Sequence, residues 1–226
     1  MSTEFFSAIK HGDQDEVQRL LRRTPDLIHK KENGISPILL ATYHGHPELA
    51  ELLAEKTVTL TIFEAAATGK RTHIVRILAH DPELVNAYSD DGFQPLGLAC
   101  FFGHQEAAEY LIKAGARINS PSANTLKVTP LHSAAAGGYS GIVKLLLKNG
   151  ADPNVRQQGD FTPLHAAAQN GNVASIRDLL LNGADAHAKS AEGKTALDYA
   201  TDAGKTKAVD VLKEGITKRF RIHANF

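Results

Sequence analysis

The sequence predicts an all-α solenoid, a row of stacked helix pairs rather than one globular core. Three observations carry that expectation. Gly12, Gly45, Gly69, Gly103, Gly138, Gly171 and Gly204 recur at intervals of 33, 24, 34, 35, 33 and 33 residues, and a period of this size marks repeated supersecondary units that bury their apolar faces on one another. The tetrapeptide Thr-Pro-Leu-His occurs at 129–132 and 162–165, beginning nine residues before a ladder glycine each time. Around each glycine lie two short apolar stripes at helical spacing.

In chain order, residues 1–33 form the first unit, with Phe5, Phe6, Ala8 and Ile9 before Gly12 and Val17, Leu20 and Leu21 after it. It lacks the Thr-Pro opening, as an N-terminal cap would. Residues 34–60 form a second unit that opens at Ser36-Pro37-Ile38-Leu39 and continues through Leu49, Leu52 and Leu53. Residues 61–90 are a third, 91–124 a fourth opening at Gln94-Pro95-Leu96-Gly97, 125–158 a fifth and 159–191 a sixth. Residues 192–215 open at Thr195-Ala196-Leu197-Asp198 and expose polar Thr201, Asp202 and Lys205, as a C-terminal cap would; 216–226 form a basic tail with Lys218, Arg219, Phe220 and Arg221. The whole chain reads as one domain of about seven units.

The fifth unit shows the local logic. Thr129 caps a helix, and Pro130 suits the first turn, where its missing N–H has no intrahelical partner to lose. Leu131, Ala134 and Ala135 make the buried stripe, and Gly138 ends the helix in a left-handed conformation. A second helix runs from Ser140 to Asn149 with Ile142, Val143, Leu145, Leu146 and Leu147, and Gly150 stops it. Ala151-Asp152-Pro153-Asn154 then turns the chain outward into a finger. Helices this short are marginal alone and draw their stability from neighbouring units.

The period fails in two places. From Gly45 to Gly69 about nine residues are missing, and Lys56-Thr57-Val58-Thr59-Leu60-Thr61 runs straight into Ile62-Phe63-Glu64. The third unit is therefore expected to keep both helices and lack a preceding finger, leaving a gap in the finger row between 29–36 and 86–94. From Gly103 to Gly138 the finger Asn119–Lys127 is two residues longer than the one starting at Asn154, an extension that costs little and reshapes a surface.

Helix, helix and outward hairpin, with Thr-Pro-Leu-His and Gly-Ala-Asp-x-Asn, resemble the ankyrin repeat, and the resemblance covers nearly the whole chain. It implies helix pairs with β-hairpin fingers, and His132 and His165 bonded to Thr129, Thr162 and neighbouring finger backbone. It also implies a non-enzymatic scaffold that grips a protein partner with its finger tips and concave face. At the positions just before the ladder glycines, Tyr43, His44, Phe101, Phe102, Gln169 and Asn170 are then candidate contacts. In the nearby fingers Tyr88, Asp90, Phe93, Arg156 and Phe161 join them. Paired phenylalanines in a place where polar or small residues normally face solvent point to an apolar patch, and aromatic and Arg residues are the usual interface anchors. The competing expectation is that Phe101 or Phe102 packs under the enlarged finger and Phe161 under its own hairpin. Replacing both Phe101 and Phe102 with Ala is expected to abolish capture and leave the melting temperature nearly unchanged.

Lys plus Arg and Asp plus Glu number 25 each, which argues against a nucleic-acid or anionic-membrane role, since both draw affinity from a basic field. With one cysteine, no basic-then-apolar leader and no apolar run near the roughly 20 residues that cross a bilayer, a monomeric cytoplasmic protein is expected. Gly193-Lys194-Thr195 resembles the end of a phosphate loop, but Ala188 stands where the upstream glycine belongs. Cys100 would be a nucleophile in a thiol-dependent enzyme, yet it occupies an alanine position of the stack and is expected to be buried and inert. His44-Gly-His46 lacks a third metal ligand, Asp90-Asp91 suits a solvated turn, and the basic tail is slight support for nucleic-acid binding. No catalytic residue, metal or cofactor is expected.

Overall fold

A computed structural model of the chain describes residues 1–223, with side chains through Thr217. Among the described residues the chain is all-helical, with no strand. The helices come in pairs: α1 (Ser2–His11) with α2 (Gln14–Arg23), α3 (Pro37–Tyr43) with α4 (Pro47–Lys56), α5 (Ile62–Ala67) with α6 (Arg71–His80), and α7 (Pro95–Phe101) with α8 (Gln105–Lys113). Then follow α9 (Pro130–Ala136) with α10 (Ser140–Lys148), α11 (Pro163–Asn170) with α12 (Val173–Leu181), and α13 (Ala196–Asp202) with α14 (Thr206–His223). The first helix of every pair packs on the first helix of the next, from α1 through to α13. Second helices form a parallel row from α6 through α14. The helical backbone of α14 runs through most of the residues expected to form a tail; the side chains of Lys218 to Arg221 lie outside the described residues.

Local sequence explains the starts and stops. Thr61 and Glu64 make a reciprocal cap on α5: the Glu64 N–H donates to Thr61 Oγ1 at 3.2 Å and the Thr61 N–H to Glu64 Oε2 at 2.8 Å, satisfying two orphan donors at once. Proline opens α3, α4, α7, α9 and α11, and every ladder glycine has positive φ. Ile9, Ile38, Ile74, Leu96, Leu131 and Leu164 are fully buried along the stack, each contributing about 1.5–3 kcal/mol.

The ladder glycines serve a second purpose. The residue after each one in the next rung lies over the preceding glycine: a Cβ on Gly12 would sit 2.6 Å from His46, one on Gly69 2.5 Å from His104, and one on Gly103 2.4 Å from the Tyr139 ring. His46 Nε2 bonds Lys10 O at 3.0 Å and His104 Nε2 bonds Ala67 O at 2.9 Å, so the seats are also hydrogen-bonded. At Gly45 the seat is empty, with nothing within 4 Å of a Cβ. Lys70, which the register would place there, pairs with Glu51.

The fingers are smaller than the hairpins expected. Each is a turn closed by only one or two backbone bonds: Glu32 and Ile35 exchange a pair at 3.0 and 2.9 Å, and N–H to carbonyl bonds run from Ser89 to Phe93 at 2.9 Å, Ser122 to Val128 at 2.8 Å, Gln157 to Phe161 at 3.0 Å and Ser190 to Lys194 at 2.9 Å. The arms run almost at once into the next helix, so no ladder extends beyond the closing pair, and Glu32–Ile35 and Gln157–Phe161 stand as isolated bridges. Successive fingers are joined by Ala123 N–H to Gly92 O, Gln158 N–H to Leu126 O and Ala191 N–H to Gly159 O.

At the short rung, residues 57–61 join α4 to α5. Between α4 and α5 the chain passes through Val58, 91% exposed, and the buried Leu60, with no bridged pair there. The expected gap is not open, however. The turns on either side of the third pair meet directly. Lys31 Nζ reaches Asp90 Oδ2 at 2.7 Å, and Gly34 lies so near Asp90 that a Cβ would be 2.9 Å from its Cβ.

Candidate functional site

The aromatic residues expected near the fourth unit do converge. Tyr43, at the C-terminal end of α3, stacks on Phe102 with ring centroids 5.9 Å apart, and its hydroxyl donates to Asp91 Oδ2 at 2.6 Å. Burial, reinforced by that bond, raises the Tyr43 pKa and holds the phenol protonated. Phe101 and Phe102 meet edge to face at 5.0 Å but differ in environment. Phe101 is 46% exposed, whereas Phe102 is half-buried against the core. Adjacent helical residues point about 100° apart, so one ring is free for contact and the other serves packing.

Two clefts flank Phe101. The larger, about 550 Å3, lies beside the empty seat at Gly45 and is lined by Ala67, Thr68, Phe102, His104 and Tyr139. The smaller, about 340 Å3, lies toward the fingers between Phe93, Gly97, Leu98, Leu126, Val128 and Ser133. Tyr43 borders both. No charged side chain lines the smaller one, so an apolar group entering it meets no buried ion to desolvate.

The remaining candidates are placed elsewhere. His44 is an exposed cap residue of α3, and Gln169 is exposed at the end of α11. Asn170 donates to Ala136 O at 2.7 Å, which ties α11 to α9. Tyr88 is 43% exposed and its hydroxyl bonds Ser120 and Pro121 in the enlarged finger. Asp90 pairs with Lys31, and Arg156 donates to Lys189 O at 3.0 Å and to Asp160 O at 3.3 Å. Phe161 is half-buried, stacked on His165 and edge-on to Tyr199, each at 5.1 Å. Its environment is packing between repeats.

Sequence reasoning missed Gly97, Leu126, Val128 and Tyr139. Gly97 was readable: it stands at the fourth place of Gln94-Pro95-Leu96-Gly97, where the fifth and sixth units have His132 and His165. Those imidazoles do bridge repeats, His132 Nε2 to Phe161 O at 3.0 Å and His165 Nε2 to Lys194 O at 3.2 Å. Since Nε2 faces carbonyl oxygens and Nδ1 accepts from the Thr129 or Thr162 N–H, the proton resides on Nε2. Burial lowers the pKa of both, that of His132 to about 4.

The motifs set aside from sequence have structural roles here. Cys100 is fully buried, and burial pushes its thiol far above the ordinary range. Thr195 caps α13, accepting from the Asp198 N–H at 3.3 Å, while Lys194 pairs with Asp202 at 2.9 Å. Among the described residues no three His, Cys, Asp or Glu side chains are grouped to hold a metal, and no helix is long and apolar enough to cross a membrane.

A family model described as ankyrin repeats (3 copies) matches residues 62–157 and again 131–221, and one described as ankyrin repeats (many copies) matches 5–54. Among curated proteins, target of rapamycin complex 2 subunit AVO2 of Saccharomyces cerevisiae is 30% identical over 176 residues, covering 71% of this chain and 41% of its own length. Ankyrin repeat and SOCS box protein 16 of Homo sapiens is 33% identical over 142 residues, covering 55% of this chain and 31% of its own. Ankyrin repeat and KH domain-containing protein mask-1 of Caenorhabditis elegans is 32% identical over 153 residues, 64% of this chain and 6% of its own. The chain thus spans less than half the length of each of these relatives.

Proposed function

Since the chain belongs to the ankyrin-repeat family, we propose that it is a non-enzymatic protein-interaction module that receives a partner polypeptide on its concave face, centred on Phe101. The observation that carries this reading is a phenyl ring 46% exposed between two clefts, because an exposed aromatic amid apolar walls is the usual composition of an interface anchor. The yeast relative is by name a subunit of a complex, which favours membership of a multi-protein assembly. Equal numbers of acidic and basic residues favour a protein over nucleic acid. In this reading the module is monomeric and cytoplasmic, with the repeat boundaries given above. Cys100, buried and protonated, supplies no nucleophile, and the Gly193-Lys194-Thr195 segment serves a finger and a helix cap.

Affinity capture from native lysate with wild type and Phe101→Ala side by side tests the proposal. Specific partners are expected to disappear from the variant while its melting temperature stays within a degree or two, since little buried surface is lost. Undiminished capture by Phe101→Ala would remove the concave-face assignment. The single variant is the clean one: Phe102 packs on Tyr43 and the core, so Phe102→Ala also costs stability.

A further inference from the structure

The smaller cleft has a counterpart elsewhere in the array that is already filled, and the filling identifies what belongs in it. Between the sixth and seventh pairs, Phe161, His165 and Tyr199 form a three-ring cluster: Phe161 and His165 are stacked at 5.1 Å with an interplanar angle of 29°, and Tyr199 stands edge-on to both. Counting from the residue that opens each first helix, the same three places around the fourth and fifth pairs are held by Phe93, Gly97 and Ser133. One ring of three remains. A Cβ built on Gly97 would have open space around it, and all three residues line the cleft.

The polar partner of the missing ring is also in place. Phe161 O accepts the Gln157 N–H and also His132 Nε2, and Lys194 O accepts the Ser190 N–H and also His165 Nε2. The carbonyl in the same place beside Gly97 is that of Val128, which accepts the Ser122 N–H at 2.8 Å. A carbonyl oxygen has two lone pairs, and glycine supplies no donor for the second.

Resting on the interaction reading above, we propose that this cleft is the seat for a tryptophan side chain of the partner polypeptide. The chemistry required is a flat ring to stack on Phe93 as His165 stacks on Phe161, with one N–H to donate to Val128 O. Indole has both features, and its greater bulk suits a space of about 340 Å3 from which two rings are absent. The cleft offers no charged side chain for a free ammonium or carboxylate, so the ring arrives on a blocked backbone, as part of a chain.

The test uses N-acetyl-tryptophanamide, N-acetyl-leucinamide and free tryptophan as probes. The protein contains no tryptophan, so indole emission comes from the probe alone, and the methyl resonances of Leu98 and Leu126 report all three by NMR. The expected result is a saturable shift of those methyls with the tryptophan amide, at least fivefold tighter than with the leucine amide, and no preference for the free amino acid. Gly97→His, which restores the imidazole into open space, is expected to weaken the tryptophan amide at least tenfold without lowering the melting temperature. Phe93→Leu, which keeps apolar bulk and removes the stacking face, is expected to weaken it severalfold and serves should the first variant misfold. Equal binding of the leucine amide, preference for free tryptophan, retained affinity in both variants, or no methyl shift would each overturn the assignment. None of those outcomes touches the capture experiment with Phe101→Ala, so the two readings fail separately.

Discussion

The Tyr139 ring rests on Gly103 so closely that a Cβ there would lie 2.4 Å from it. Crowding thus adds to helix termination as a reason for glycine at this rung. Gly103 and Gly45 share a left-handed backbone, at φ 81° and 76°, but only Gly103 carries a neighbour on its open face. Replacing each with Ala separates backbone strain from crowding. Gly45→Ala is expected to cost about 1 kcal/mol from the dihedral alone, and Gly103→Ala about 2–4 kcal/mol once displacement of the ring is added. Equal losses in urea unfolding would show that the seats carry no energy.

The bond from Tyr43 to Asp91 ties α3 to the turn before α7 across the short rung. A hydrogen bond from a half-buried phenol to a carboxylate contributes about 1.5–3 kcal/mol, so Tyr43→Phe should lower unfolding free energy by about that amount. Paired with Asp91→Asn in a double-mutant cycle, it should show a coupling of about 1 kcal/mol or more. Strict additivity would mean that the contact is incidental.

Acid should loosen the fifth and sixth pairs. His132 has a folded pKa of about 4 against an ordinary 6.5, so the unfolded chain takes up the proton first as pH falls. Its contribution is therefore fully present above pH 6.5 and is lost between 6.5 and about 4, amounting to about 3 kcal/mol at roughly 1.4 kcal/mol per pH unit. Unfolding free energy measured across this range should fall more steeply in wild type than in His132→Gln. Parallel curves would show that His132 does not titrate on unfolding.

Cys100 should be silent toward an aromatic disulfide reagent in the native state and should react fully once the chain is unfolded, since burial both shields the sulfur and suppresses the thiolate. Rapid native-state labelling would contradict the buried placement and reopen a thiol-dependent activity.

The helices were legible because each unit repeats the same local rules: a capping hydroxyl, proline in the first turn, an apolar stripe and a glycine stop. Thr162, Pro163, Leu164 and Gly171 say the same thing as Thr129, Pro130, Leu131 and Gly138. What depends on three-dimensional closure was not legible. Lys31 and Asp90 are 59 residues apart, and no periodicity announces that two fingers will meet across the short rung. The contrast between Phe101 and Phe102 was hidden for a different reason, since neighbouring helix positions share a register and differ in direction. The hairpins were overestimated because a motif of Asp, Asn and Gly predicts a turn and says little about how many bonds its arms can form. Gly97 was visible throughout; its meaning depended on asking what the equivalent positions hold.

A row of repeats that touch only their immediate neighbours resembles a series circuit, in which melting any one unit disconnects the ends. The contacts of Lys31 with Asp90 and Tyr43 with Asp91 add a branch in parallel around the third pair. Local melting of α5 and α6 would leave the second and fourth pairs tethered and the aromatic face still assembled. The shortest rung thus gains a bypass, and there the array holds together over more than a single step.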